Sequence, residues 1–284
     1  MTTPGAALRA RLVDDLVIAP GVWDALSARI VARAGFTAAY VGGNGLGLSL
    51  GKGQPYVTLT ETASAVRAAR DASGLGIIAD AGAGFGEAQH VLGVVRELAA
   101  AGAAAIHIDD QPYPKRAGYH RGLGALAPVD EVCRKLVVAR RAAEASGALV
   151  IARTDALRVA RSLPETLSRA KAYVEAGAEA LMILDLTPEQ APVVQAALGR
   201  VPLVWIGGVS VPAPSVEQLR DAGFAAACYP FNGPAAVAAA LTDLWGGLMA
   251  DGLIHQDEDL LARMRRTTLE IVDMHERFAI EDGQ

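Results

Sequence analysis

The chain has 284 residues, of which 52% are hydrophobic and 20% charged, with 30 glycines and a formal net charge of −5. That length and apolar share suit one large core of parallel strands covered on both faces, and the acidic balance without any long Lys/Arg run excludes a nucleic-acid footprint. The cysteines, Cys133 and Cys228, stand far apart without metal-type spacing, so neither a disulfide framework nor a zinc site is expected and a reducing cytoplasm fits.

From the start of the chain, residues 1–15 mix Arg9, Arg11, Asp14 and Asp15 into their apolar residues, unlike the uninterrupted apolar stretch of a signal peptide. No run of about 18 uncharged apolar residues follows, so no membrane partner and a soluble protein are expected. Short apolar runs then predict strands at Leu16–Ala19, Ala38–Val41, Gly76–Ala79, Ala105–Ile108, Leu149–Ala152, Ala180–Leu184, Pro202–Ile206 and Ala225–Tyr229. Each gap has room for a helix, and this alternation requires a parallel sheet. Thr58–Glu61 and Ser162–Glu165 have capping-box spacing, and Pro188 after Thr187 reads as a first-turn proline. An Ala-Gly pair recurs at Gly35, Gly102, Gly177 and Gly223 just before a strand, where glycine can take the left-handed residue that ends a helix.

This repeat predicts an α/β fold of one (β/α)8 TIM-type barrel over 1–250 and a helical extension over 251–284. The charged stretch Asp257 to Phe278 exceeds what a barrel needs, so it is expected to pack outside it or on a neighbouring subunit.

In such a barrel, chemistry sits at the C-terminal ends of the strands. Those ends carry Asp80 before a glycine-rich loop, Asp109 and Asp110 after His107, and Arg153 before Thr154 and Asp155. Carboxylates and an arginine converging at one rim suit a hard divalent cation, Mg2+ or Mn2+, and an anionic substrate. Asp80 and Asp109 are the candidate metal ligands. The alternatives are a loop-capping aspartate at 80 and a salt bridge from Asp109 to Arg153 or Lys115. Arg153 is the candidate carboxylate clamp. Gly42, Gly43 and Asn44 offer backbone N–H groups to an anion, or form an ordinary turn. Trp23 and Trp205 narrow the pocket or belong to the core. His107 reads as a core histidine, and His90, His255 and His275 as surface residues.

Pro20-Gly21-Val22-Trp23-Asp24-Ala25-Leu26-Ser27-Ala28, Asp80 to Gly86, His107-Ile108-Asp109-Asp110-Gln111 followed by Pro114-Lys115-Arg116, and Ile151 to Ala156 together resemble the isocitrate lyase and phosphoenolpyruvate mutase superfamily. The resemblance runs from Pro20 to about Trp245. It implies a Mg2+-dependent barrel that makes or breaks a C–C or P–C bond next to a carboxylate through an enolate-like intermediate. It also implies a homodimer or homotetramer that swaps its C-terminal helices between subunits.

Against the family pattern, the second carboxylate of strand three is Gly82, the acid after strand two is matched only by Gln54, and the strand-four Glu-Asp pair is Asp109-Asp110. The strand-six acid falls at Leu184 with Asp185 beside it, and two polar strand-seven positions at Val204 and Gly207. The lyases' loop cysteine is Ala117, within Lys115-Arg116-Ala117-Gly118-Tyr119-His120. Alanine transfers no proton, so isocitrate lyase activity proper is not expected, and Tyr119 or His120 stands as the substitute acid beside Lys115.

The expected function is a metal-dependent lyase or hydrolase cleaving a C–C bond of a small 2-hydroxy or 2-oxo carboxylate. The alternatives are a phosphoenolpyruvate or phosphonopyruvate mutase-type enzyme, or a barrel that has lost metal catalysis and binds a ligand or runs new chemistry.

Overall fold

A computed structural model of the chain describes residues 2–283. The strands are β1 (Val17–Pro20), β2 (Ala38–Val41), β3 (Gly76–Asp80), β4 (Ala103–Asp109), β5 (Leu149–Thr154), β6 (Ala180–Ile183), β7 (Leu203–Ile206) and β8 (Ala226–Tyr229). They form one eight-stranded parallel sheet in the order β1-β8-β7-β6-β5-β4-β3-β2. β1 and β2 complete the ring through a bridge between Gly21 and Tyr40, where the Val22 N–H donates to the Tyr40 carbonyl at 2.9 Å. The (β/α)8 barrel expected from the sequence is therefore the fold.

Local chemistry explains the alternation. Gly35, Gly102, Gly177 and Gly223 all have positive φ, between 78° and 105°, as the helix-stop reading required. Thr58 and Glu61 form a reciprocal capping box, and the Ser162 hydroxyl accepts the Glu165 N–H. Pro188 lies in the turn before the helix Ala191–Leu198 rather than in its first turn, where Pro192 stands instead.

Successive strand residues face opposite sides. Tyr40, Ile78, Ala105, Ile151, Met182, Val204 and Cys228 share one buried cluster inside the ring. Asp80, His107, Asp109 and Arg153 have the same parity as these residues and continue the inward row at the C-terminal rim. Asp110 and Thr154 have the opposite parity and face the surrounding helices. The helix Pro4–Asp14 adds Leu8 and Leu12 to the inner cluster.

The chain divides into two compact units, one ending at Gly233 and the other beginning at Pro234. The helix Asn232–Asp251 is one continuous element and falls almost entirely in the second unit. That unit also contains the helices Glu258–Ile271 and Met274–Glu281. Among the described residues no helix is long and apolar enough to cross a membrane.

Candidate active site

A cavity of about 490 Å³ opens at the C-terminal rim of the barrel. Tyr40, Asn44, Gln54, Asp80, Tyr119, Arg153 and Arg158 give it a polar side, and Leu184, Leu186, Pro188, Trp205 and Ile206 an apolar one. Its size lies in the usual range for a small-molecule site.

Asp80 ends β3 and is buried. Its Oδ1 accepts the Gly82 N–H at 2.8 Å, and its Oδ2 accepts the Gly43 N–H at 3.2 Å and faces the Tyr40 hydroxyl at 3.4 Å. Burial opposes its ionisation, yet His107, Lys115 and Arg153 outweigh that and hold the carboxyl well below the usual range. His107 lies in the core as expected, with Nε2 2.8 Å from the Tyr40 hydroxyl and 3.5 Å from Asp80. Its Nδ1 is a buried polar atom without a hydrogen-bond partner. Burial keeps the ring largely uncharged, so at neutral pH Lys115 and Arg153 are the cations that keep Asp80 ionised.

Asp109 is fully enclosed, and its Oδ2 lies 2.5 Å from the Lys115 ammonium. Burial opposes the charged form of Lys115, but Asp109 and Asp80 raise its pKa above the ordinary lysine value. A Cβ on Gly82 would lie 3.2 Å from Cε and 3.5 Å from Nζ of Lys115. Gly82 also has φ of 53°, which disfavours a side chain there. The end of the lysine side chain therefore stands directly against the place from which the family's second carboxylate would extend.

The fit of a divalent cation follows from this donor set. Mg2+ needs only one or two carboxylates with water and substrate, so the number of acids alone does not decide. The ammonium in contact with Asp109 does. Removing one partner of such an enclosed pair costs about 3–5 kcal/mol. Among the described residues, no three His, Cys, Asp or Glu side chains are grouped to hold a metal. With Lys115 in place, these residues do not fit the expected ion.

Arg153 is buried at the end of β5. Asp155 holds its Nε at 2.8 Å and Nη2 at 3.3 Å, and Nη2 also donates to the Tyr119 hydroxyl at 3.3 Å. Gln111 donates to Asp155 at 2.6 Å, so the carboxylate is fixed from both sides. Burial and the Asp155 charge push the Tyr119 hydroxyl well above its usual pKa, so it keeps its proton. Arg158 lies 3.5 Å from the same hydroxyl and forms a fork with Asp185 at 2.5 and 2.7 Å.

The expected site residues thus separate. Asp80, Arg153, Tyr119, Gly42, Gly43, Asn44 and Trp205 line the cavity, while Lys115 lines a small recess that shares Gly43, Gln54 and Asp80 with it. The side chain of His120 lies outside the described residues. Trp23 is not among the lining residues; its ring packs beside Gly233. Gly42 and Gly43 have packing reasons of their own, because a Cβ would meet the Tyr40 ring at 2.3 Å and the Gln54 side chain at 2.9 Å. Trp205 lies over Gly207, where a Cβ would come within 2.4 Å of the indole.

Asp155 stands in the sequence only as a strand-end carboxylate without a role of its own, and Arg158, Tyr40 and Lys135 are not marked there at all. Parity along β2 was available for Tyr40, which faces inward one residue before the strand ends. Lys135 gave no signal: it is nearly fully buried in the helix Val129–Ala143 and reaches back to Glu131 at 2.9 Å and to the Ala83 carbonyl at 3.1 Å.

The phosphoenolpyruvate phosphomutase family pattern matches residues 8–245. The chain is 33% identical over 241 residues to 2,3-dimethylmalate lyase of Eubacterium barkeri, covering 83% of this chain and 82% of that one. It is 37% identical over 242 residues to 2-methylisocitrate lyase of Aeropyrum pernix, covering 80% and 74%. A solved structure of phosphonopyruvate hydrolase with oxalate and Mg2+ is similar at a TM-score of 0.88 and 26% identity, over 99% of this chain and 98% of that one. Together with the barrel and its rim residues, these likenesses show that the chain belongs to the phosphoenolpyruvate mutase and isocitrate lyase superfamily.

Proposed function

We propose that this protein is a carbon–carbon lyase or hydrolase acting on a small 2-oxo or 2-hydroxy carboxylate through an enolate-like intermediate. The observation that carries this reading is Arg153, a buried guanidinium that faces a cavity of about 490 Å³ while Asp155 fixes its orientation. Asp155 takes the Nε and Nη2 edge of the guanidinium, which leaves Nη1, held in one direction, to meet a substrate carboxylate. In a 2-hydroxy substrate the hydroxyl loses its proton and becomes the carbonyl of one fragment. The electron pair of the broken C–C bond stays as an enolate on the other, carboxylate-bearing fragment, whose carbon then takes a proton, so that no proton is gained or lost overall. In a 2-oxo substrate water first adds to the carbonyl, and the same cleavage leaves an acid in place of that carbonyl.

In this reading Arg153 and Lys115 offset the growing charge in a partly dry site, where fixed charges act more strongly than in water. Tyr119 keeps its proton and lies against Arg153, which makes it the donor to carbon. Asp80 positions the chain around the site through its bonds to Gly43 and Gly82. The apolar wall of Leu184, Leu186 and Trp205 favours a substrate less charged than a tricarboxylate. The helices after Pro234 belong, in this proposal, to an assembly of two or four copies that exchange them.

The test is turnover of 2,3-dimethylmalate, 2-methylisocitrate, oxaloacetate, isocitrate and phosphonopyruvate by the purified protein, with products followed by NMR. Cleavage of at least one carbon–carbon substrate, lost in Arg153→Met, is expected. Turnover of phosphonopyruvate alone would move the reading to P–C chemistry. No turnover, with oxalate binding unchanged in Arg153→Met, would overturn it.

A further inference from the structure

We propose that Lys115 is the resident cation of this site, an ammonium standing where the superfamily's divalent ion is expected, so that the reaction proceeds without a metal. The inference rests on the functional reading above for the reaction but on geometry alone for the ion. Two independent features carry it. Lys115 Nζ contacts Asp109 Oδ2 at 2.5 Å in an enclosed pair. The chain also has glycine at position 82, where a Cβ would lie 3.2 Å from Lys115 Cε.

These features are complementary. A carboxylate at 82 would meet the lysine stem, and a lysine in this position would face repulsion from a divalent ion on Asp109. Lys115 matches the lysine of the family's loop pattern; with no carboxylate at 82, that lysine settles against Asp109 and beside Asp80, and the site carries a fixed monocation there. Lys115 lines the recess that shares Asp80 and Gly43 with the main cavity, so its charge lies at the edge of the substrate space. An ammonium is a compact point charge with three donors. It can meet one anionic oxygen of the substrate while Arg153 engages another.

The loop also suits this role. Pro112 and Pro114 flank Tyr113 directly before Lys115, and a 3-10 turn over Ala117–Arg121 follows it. The lysine is thus delivered from between two constrained segments. The same loop carries Ala117 in place of the lyase cysteine, so this segment has lost the family's acid and kept its cation.

Three measurements on the full chain test the idea. Protein stripped with EDTA and then assayed with and without added MgCl2 or MnCl2 is expected to keep its kcat/KM within about twofold. Mn2+ binding followed by electron paramagnetic resonance, a readout independent of activity, is expected to be absent in the native protein and to appear in Lys115→Met, where Asp109 loses its partner. Lys115→Met is also expected to lower kcat by about 10²–10³-fold, as for loss of one charge that stabilises a developing anion.

Activity lost on chelation and restored by Mg2+ would overturn the proposal. So would Mn2+ binding by the native protein as tight as in the variant, or a folded Lys115→Met that binds no Mn2+. If Lys115→Met does not fold, the chelation and Mn2+ experiments on the native protein still decide. If no substrate is turned over, the functional reading fails while the Mn2+ measurements continue to test the cation.

Discussion

Asp110 Oδ1 accepts the backbone N–H of Asp155 at 2.9 Å, tying the end of β4 to the residue that orients Arg153. Its Oδ2 accepts the hydroxyls of Thr154 at 2.7 Å and Tyr173 at 3.1 Å, with Arg169 at 3.6 Å. The superfamily's second strand-four acid is therefore here an outward-facing clamp rather than part of the cavity lining.

Burial pushes the Asp110 carboxyl from 3.8 up to about 6, against the hydrogen bonds that favour its charged form. The folded protein keeps this proton where the unfolded chain releases it. Its contribution to stability is fully present below about pH 4 and is lost as the pH rises through about 6, amounting to about 3 kcal/mol. Asp110→Asn removes the titration. Urea unfolding is expected to show the variant gaining stability relative to the native protein between pH 4 and 7. Parallel pH profiles for the two proteins would refute this role.

Arg153→Lys keeps the charge but loses the fork that meets Asp155 and Tyr119 together. A lysine cannot be held in one plane by those partners and still face a carboxylate with two donors. The expected result is a fall in kcat/KM of about 10²–10³-fold, with weaker oxalate binding by calorimetry. Native kcat/KM and oxalate affinity in the variant would remove Arg153 from the substrate contact.

The barrel was legible in the sequence because helix-stop glycines and β-rich runs repeat locally. The inward row was legible for the same reason, since period two places Asp80, Asp109 and Arg153 on one side of their strands. What they touch was less accessible. The ion pair of Asp109 with Lys115 stood as one of two alternatives, because a loop can place its lysine inward or in solvent without changing the local pattern. For Trp23 the sequence leaves pocket wall and core both open, and the chain beyond the Gly21 bridge leads it towards Gly233. Gly82 and Gly207 read as losses of polar groups. The space at Gly207 is filled by Trp205, and Gly82, with its positive φ, stands against the side chain of Lys115.

The C-terminal unit leads to a prediction about assembly. Trp245 and Met249, 54% and 89% exposed, and Leu260, Leu261, Met264 and Leu269 present apolar side chains to solvent in the single chain. An amphipathic helix gains stability by covering such a face, and a second copy of the chain supplies a symmetric cover. Truncation after Asp251 is expected to shift the protein to a smaller species in light scattering coupled to gel filtration. An unchanged oligomeric mass would refute the exchange of these helices.

The last prediction concerns the proton donor. Tyr119 lines the cavity and its hydroxyl is set between Arg153 and Arg158, at 3.3 and 3.5 Å. Tyr119→Phe deletes the hydroxyl with little change in packing, so it is expected to lower kcat by about 10²–10⁴-fold, the range for a positioned acid. Substrate binding should change less than kcat, because Asp155 still holds the guanidinium. Ala117→Cys is the complementary variant. Residue 117 lies on the exposed 3-10 turn, and the strand-seven positions that are polar in the family are Val204, buried in the barrel interior, and Gly207, covered by Trp205. A thiol returned to the loop would find neither the polar lining nor the carboxylate set for a tricarboxylate, so no isocitrate cleavage is expected from Ala117→Cys. Native kcat in Tyr119→Phe would take the proton transfer away from Tyr119, and isocitrate cleavage by Ala117→Cys would show that the loop cysteine alone separates this pocket from the lyases.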